Sequence, residues 1–539
     1  MTRALTHVYK ANRCIKIDRK KEIVRWRVCA AEYKAFIKES QVFYRQYIRW
    51  LSEYGRIEVL RLIAQNWRKG AIDKPTLSLG EVPVEIHNLA TSLSHDCLLR
   101  LGDLSRWRYS ARVDGDRGQP RDAVGYYELA EIIRPESGAA QNQLAVLEAG
   151  DKHSFRALYH FYRSLAYETP HDIALANLEL EFKKISKLSD DELIRSCMPA
   201  DRNTSVARLR TWFVRFMATS HSGTLLSQQS ELESEVIGRI ANGLCEDEAY
   251  GSTIERIILM TVCAEWHARC RRRSLASADG TSPSGVLTAS KPASETDRAY
   301  FTYLRFNLRI LLALLQHTDA TLDEIFREDL ATDVSQNIQV ANRETKAAQS
   351  CLRLLHLHCF WLTAHAGDIS GRSLEGSSDP TIPLLAQDVW RIFTAVLNRL
   401  VDRFEVNGIE ILDYLLNEEE LCLGIVSVQS DHTAQSWYID GKVKKRASEI
   451  QNLLNEEKSS RTRQRLEMLA RIRDIVTQGV WLAVQEVSNR LRLRIVAQAA
   501  DALSRNLPRF LLTRHGSSMK IQRSPQERSP TTPQDEVTA

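Results

Sequence analysis

Two stretches, HDCLLRLGDLSRWR at residues 95–108 and YYELAEIIRPESGAAQNQLAVLEAGDKHSFRALYHFYRSLAYETPHDIALANLELEF at 126–182, decide how this chain folds. They contain a weak internal repeat. Pro135 and Pro170 stand about 35 residues apart, and each follows a helix-like run of small and aromatic residues (Tyr126, Tyr127 and Ala130, then Ala157, Tyr159 and Leu165). That spacing is close to the tetratricopeptide period. Each unit opens on a helix with a small residue where a neighbour must approach closely, Leu101-Gly102 in the first and Leu144-Ala145 in the second. The first unit is lengthened by SARVDGDRGQP at 110–120, whose Gly, Asp and Pro mark a loop. Antiparallel helix pairs stacked side by side follow, and such stacks present concave grooves to extended peptides.

Outward from this core, apolar residues recur at three- and four-residue spacing. Examples are Ile23, Trp26, Ala30, Tyr33 and Ile37, and again Ile254, Ile257, Ile258, Thr261, Val262 and Trp266. Strand-type alternation is scarce. With only 23 Gly and 14 Pro in 539 residues, composition also favours long helices. Two stretches, 274–296 and 366–383, break the periodicity and read as loops within a helical domain, and the tail from His515 reads as disordered. The ten cysteines are scattered, with no C-x-x-C pair, as expected of reduced thiols. No segment has the apolar length of a signal peptide or membrane span, so a soluble protein is expected.

Net charge is only +5, from 73 basic and 68 acidic side chains, and does not by itself demand a nucleic-acid partner. The first 75 residues carry eighteen Lys and Arg against seven Asp and Glu, a positive field that suits an anionic partner or serves as a solvated face. On a helix over 155–167, Phe155, Leu158, Tyr159, Tyr162, Leu165 and Ala166 make an apolar stripe, while Arg156, His160 and Arg163 flank it at i, i+4 and i+7. Guanidinium groups in a row are the usual grip on a phosphorylated peptide. The alternative for Arg163 is an ion pair inside the bundle, with Glu128 or Asp151. The helix over 42–54 reads the same way, with Phe43, Tyr47, Trp50 and Tyr54 inward and Arg45, Arg49 and Arg56 opposite.

No phosphate-binding glycine loop, serine-nucleophile elbow or zinc-protease motif is present, and the acidic residues do not pair into a general acid and base. No catalytic residue, cofactor or small-molecule substrate is therefore expected. Cys263, His267 and Cys270 share a helix face but lack the fourth ligand of a structural zinc site, and His356 and His358 point to different sides, so no metal site is expected either. The runs RCRRR at 269–273 and Arg461, Arg463 and Arg465 are candidates for nucleic-acid backbone contact, or equally solvated helix ends. Ser524-Pro525, Ser529-Pro530 and Thr532-Pro533 have the form of proline-directed phosphorylation sites.

The opening stretches resemble the telomerase-associated Est-one protein and the Smg-five, Smg-six and Smg-seven factors of nonsense-mediated mRNA decay. Leu101-Gly102-Asp103-Leu104 with Arg106, Tyr126-Tyr127, Pro135 with Gly138, Asn142-Gln143-Leu144-Ala145, Tyr162-Arg163-Ser164, Pro170 and Ala176-Asn177-Leu178 carry the resemblance. Phe213-Val214-Arg215-Phe216, the helix ending at Trp361, Leu416-Asn417-Glu418-Glu419-Glu420-Leu421 with Gly424, and the Arg461 group look like its later landmarks. The resemblance implies an all-α chain. A 14-3-3-like bundle with tetratricopeptide-type helix pairs would occupy 1–220, a domain of helical hairpins 221–512, and the tail 513–539. Two relatives add a PIN nuclease domain, which is not expected here, and the layout looks most like the Smg-seven or short fungal Est-one type. It further implies a non-enzymatic adaptor, nuclear and cytoplasmic, which pinches the phosphoserine of a phosphorylated Upf helicase between an early-helix basic residue and the arginine of Tyr-x-Arg-Ser. Arg163 matches that arginine, with Arg45 or Arg49 standing for the other. A second family member, telomerase RNA or single-stranded telomeric DNA are the further partners implied, and a helical scaffold without either activity is the remaining reading.

Overall fold

The computed structural model describes residues 21–66, 82–110, 120–199, 202–223, 229–244, 248–278, 295–327, 338–369, 379–404, 406–409, 411–430, 433, 436–439, 442–446 and 460–484. The expected loop after Ser110, the tail, most of the first expected internal loop and half of the second lie outside them. Helices α1 (Ile23–Tyr54), α2 (Glu58–Asn66), α3 (Val84–Ser110), α4 (Arg121–Ile133), α5 (Ala139–Gly150) and α6 (Ser154–Ala166) come first. They are followed by α7 (Ala174–Ile185), α8 (Asp190–Cys197), α9 (Thr204–Ser222), α10 (Gln229–Gly243) and α11 (Glu248–Ala278). The last are α12 (Glu295–Arg327), α13 (Ile338–His365), α14 (Thr381–Arg403), α15 (Asn417–Cys422) and α16 (Ser460–Val484). The only described strands are the two-residue pair Tyr438–Ile439 and Lys442–Val443.

Local chemistry sets many of the ends. Ser189 and Glu192 form a reciprocal capping box at the start of α8, and the Asn203 side chain accepts from the Ser205 and Val206 amides at the start of α9. Gly223, at φ 64°, closes α9 in the left-handed conformation that glycine adopts without strain. The expected loops are shorter than their composition suggests. Ser274 to Ala278 continue α11, Glu295 and Thr296 begin α12, and Thr381 begins α14. Ser, Ala and Leu cost a helix little, so α11 runs on past its last core residue.

The repeat reads out as packed pairs, α3 with α4 and α5 with α6. At the first pair, a Cβ on Gly102 would lie 2.2 Å from Cε1 of Tyr127, so the ring occupies the space a side chain would need. Ala145, fully buried, takes the corresponding place in the second. The turns after the two prolines lie side by side. Gly138 donates its amide to Thr169 (2.9 Å), Thr169 donates to Glu136 (3.0 Å), and the Ser164 hydroxyl donates to the Gly138 carbonyl (2.7 Å).

Two main apolar cores result. One joins α1 to α5 through Ile48, Leu51, Leu98, Leu101, Tyr127 and Leu144. The other runs from α5 and α6 to α16, and Phe213 and Phe216 on α9 meet Phe306 on α12 at ring-centroid distances of 6.2 and 4.3 Å. Full burial of a side chain such as Leu or Phe contributes roughly 1.5–3 kcal/mol. Buried polar groups then fix helix register. Glu265 on α11 accepts from Asn307 on α12 (2.6 Å) and from the Trp361 indole on α13 (2.9 Å).

The expected inward aromatic face of α1 is corrected by the structure. Phe43, Trp50 and Tyr54 are 61, 54 and 45% exposed, while Tyr47 is partly buried against the core and continues their ring stack, at centroid spacings of 6.1, 5.9 and 5.3 Å. The face laid against α3 carries Ile37, Gln41, Ile48, Leu51 and Ser52. These smaller groups allow a closer approach, and Gln41 donates to the Ser105 hydroxyl (3.0 Å) within it.

Candidate functional site

Helix α6 is amphipathic, and its apolar stripe packs among α5, α7, α8, α9 and α11. On its flanking side stand Arg156, His160 and Arg163, one helical turn apart, with Tyr159 between them. Arg256 of α11, which sequence reasoning missed, reaches over the Tyr159 ring (5.6 Å to its centroid), as does Arg163 (5.3 Å). The electrostatics record the convergence. Burial, and then the guanidiniums of Arg163, Arg256 and Arg156, hold His160 well below its ordinary range. It is a neutral imidazole at pH 7, with Nδ1 2.7 Å from Gln141 Oε1.

The three guanidiniums differ in freedom. Arg163 is 4% exposed, donates to Glu131 Oε1 (3.0 Å), to the Tyr167 hydroxyl (2.9 Å) and to the Leu421 carbonyl (3.1 Å), and Tyr167 itself donates to Glu131. The carboxylate beside it is thus Glu131, one helical turn beyond Glu128. Arg156 is half exposed and only 3.6 Å from Glu148, which also holds His153 (2.7 Å). Arg256 is partly exposed and forms no ion pair among the described residues.

Behind Arg163 lies a junction built from the other sequence landmarks. The Glu168 amide donates to Gly424 (3.2 Å), and Tyr167 bridges Ile425. Gly424 has φ 77°, and a Cβ there would lie 1.7 Å from the Pro135 carbonyl oxygen, so only glycine fits. The turn after α4, the end of α6 and the segment after α15 are thereby locked together, and Arg163 adds bonds to Glu131 on α4, to Tyr167 and to Leu421 on α15.

The remaining candidate residues lie apart. Arg45 on α1 donates to the Tyr126 hydroxyl through Nε (2.8 Å) and Nη2 (2.5 Å) and lies over that ring, and Arg49 is partly buried on the same helix. Helix α1 packs along α3, and among the described residues no hydrogen bond, ion pair or ring contact joins Arg45 or Arg49 to Arg163. Arg463 donates to Glu467 (2.9 Å) and Arg465 is exposed, while the Arg461 side chain lies outside the described residues.

Comparison with known proteins adds the following. The family described as Est1 DNA/RNA binding domain matches residues 123–432, and that described as telomerase activating protein Est1 matches residues 3–112. The chain is 30% identical over 150 residues to the telomere elongation protein est1 of Schizosaccharomyces pombe, covering 26% of this chain and 30% of that one. It is 31% identical over 155 residues to the nonsense-mediated mRNA decay factor SMG7 of Arabidopsis thaliana, covering 28% and 14%. The aligned parts thus span under a third of these relatives' lengths. Among solved structures, one of Est1 and Cdc13 is similar at TM-score 0.46 and 13% identity, covering 88% of this chain and 91% of that one. The Caenorhabditis elegans SMG5-SMG7 complex gives 0.31 and 14%, covering 71% and 98%. Among the described residues no helix is long and apolar enough to cross a membrane.

Proposed function

Since the chain belongs to the Est1 DNA/RNA binding domain family, whose model spans more than half of it, we propose that it is a non-enzymatic helical adaptor binding a phosphorylated segment of a protein partner. The binding face is the one around Tyr159, where α6 of an N-terminal unit of about residues 1–220 meets α11 of the hairpin scaffold that carries it. The observation that carries this reading is the meeting of Arg156, Arg163 and Arg256 around one neutral imidazole, His160. A phosphate carries close to two negative charges at pH 7 and accepts several hydrogen bonds, which suits guanidiniums held on two different helices. Arg163 is already matched by Glu131 and Arg156 lies beside Glu148, so Arg256 on the rim makes the first contact. Adaptor rather than enzyme is the reading because buried carboxylates such as Glu265 and Glu418 are spent on joining helices. The likeness to SMG7 supports a role in mRNA surveillance, which would place the chain in the nucleus and cytoplasm.

A second reading, binding of telomerase RNA or single-stranded DNA, is favoured by the description of the family that matches 123–432. One experiment separates them. The purified chain is titrated with a degenerate phosphoserine peptide pool, with the same pool after phosphatase treatment, and with oligouridine and oligodeoxythymidine. Selective retention of the phosphorylated pool is expected. Equal retention of both pools sinks the phosphate reading, and oligonucleotide binding that falls steeply with salt favours the second.

A further inference from the structure

Three residues distant in sequence bring donor atoms together: His356 of α13, Glu419 of α15 and Asp474 of α16, with one ligand atom from each lying within 4.8 Å of the others. We propose that they form a binding site for one divalent metal ion of the zinc class, held by one imidazole nitrogen and two carboxylate oxygens.

The imidazole carries the argument. His356 is fully buried, and its Nδ1 is 2.9 Å from Glu418 Oε1. Glu418 is itself gripped by Arg471 through Nε (2.6 Å) and Nη2 (3.0 Å). Doubly bonded to a guanidinium, Glu418 is the accepting partner in its contact with His356. With Glu418 accepting at Nδ1, that nitrogen carries a proton, and Nε2 is the nitrogen left to bind. That Nε2 is buried without a hydrogen-bond partner. A carboxylate holding the far nitrogen of an imidazole is the usual support of a metal-ligating histidine, because it fixes the tautomer and raises the basicity of the near nitrogen. An unpartnered imidazole nitrogen inside a protein costs free energy unless something takes its lone pair.

The carboxylates keep capacity to spare. Glu419 accepts the Leu416 amide on Oε2 (2.7 Å), and Asp474 accepts Arg473 on Oδ1 (2.7 Å), which leaves one oxygen of each. Burial, and then the Asp474 charge, push Glu419 above the ordinary carboxylate range. Lys444 and Arg471 are the other cations near it. An ion bonded at about 2.1 Å to all three groups would draw the ligand atoms to roughly 3.4 Å apart, an adjustment within side-chain rotation. One nitrogen and two oxygens without thiolate suit Zn2+, and equally accept Mn2+ or Co2+. Partly exposed Asp474 gives the ion its way in and leaves room for water at the fourth position. The bound ion would cross-link α13, α15 and α16. It would also give the Leu416–Leu421 motif, singled out in the sequence, a purpose that partner binding does not use.

The test uses the full chain, stripped with a chelator and titrated with Zn2+ against a chromophoric competitor. Variants Asp474→Asn and Glu419→Gln keep shape and hydrogen bonding, and circular dichroism and melting check that they fold. The expected result is one Zn2+ bound by the parent, weakened at least tenfold in either variant, with a melting temperature that rises with Zn2+ in the parent alone. Co2+ in the parent should give ligand-field bands without thiolate charge transfer. Folded variants that bind Zn2+ as the parent does, a parent that binds none, or a thiolate band lost on changing Cys270 would each overturn the proposal.

Discussion

Glu418→Gln tests whether the hairpin region is held by charge as well as by packing. Glu418 is fully buried, bidentate to Arg471, which is 6% exposed, and bonded to His356. The amide keeps the size but leaves the Arg471 guanidinium buried without its counter-charge. Breaking one side of a buried pair costs about 3–5 kcal/mol, whereas replacing both partners with groups that pack is often near neutral. Glu418→Gln alone should therefore destabilise by about 3–5 kcal/mol, and Arg471→Met alone by a similar amount. The double variant should cost clearly less than the sum. Urea unfolding gives the free energies, and hydrogen exchange of α13, α15 and α16 shows where protection is lost. A Glu418→Gln loss under about 1 kcal/mol, or strict additivity in the double variant, would mean that the ion pair does not hold these helices. The sign with pH is fixed too. A carboxyl held below its unfolded value of about 4.5 contributes stability above that pH, and the contribution disappears as pH falls toward its folded value.

Two further outcomes are expected. Gly102→Ala, whose Cβ would meet the Tyr127 ring at 2.2 Å, should part α3 from α4 and destabilise the N-terminal core by about 1–3 kcal/mol, read by urea unfolding, despite alanine's better helix propensity. His221 and His267 stack at 6.5 Å, and burial followed by neighbouring cations (His267 and Arg271 for His221, Arg271 for His267) lowers both to about 4. The unfolded chain binds their protons first, so stability should hold above pH 6.5 and fall between pH 6.5 and 4, and melts of His267→Gln should show a shallower fall.

What the sequence made legible was local. Helix periodicity, the prolines closing α4 and α6, and Gly102 under Tyr127 all act within a few turns or between sequential helices, where spacing alone carries the information. The outward turn of Phe43, Trp50 and Tyr54 was not legible, because large aromatic residues read as core. The longer stripe from Ala30 through Ile37 and Gln41 to Leu51 was the signal that would have placed α3 correctly. The company Arg163 keeps was hidden for a different reason. Glu131 and Leu421 come to it from 32 and 258 residues away. The landmarks Pro135, Tyr162-Arg163-Ser164 and Gly424 are visible as a motif, but that they meet at one junction is tertiary information. Arg256 and the His356, Glu419 and Asp474 cluster escaped likewise, since each set is assembled from separate helices.

The most direct measurement of the central claim is the affinity of the parent and Arg256→Glu chains for one phosphoserine peptide selected from the pool, and for its unphosphorylated form, at matched salt. Arg256 lies on the rim and makes no ion pair among the described residues, so the variant should fold as the parent does. The account predicts at least a tenfold loss, about 1.4 kcal/mol, for the phosphorylated peptide and no change for the unphosphorylated one. An unchanged affinity for the phosphorylated peptide, or an equal loss for both, would contradict it.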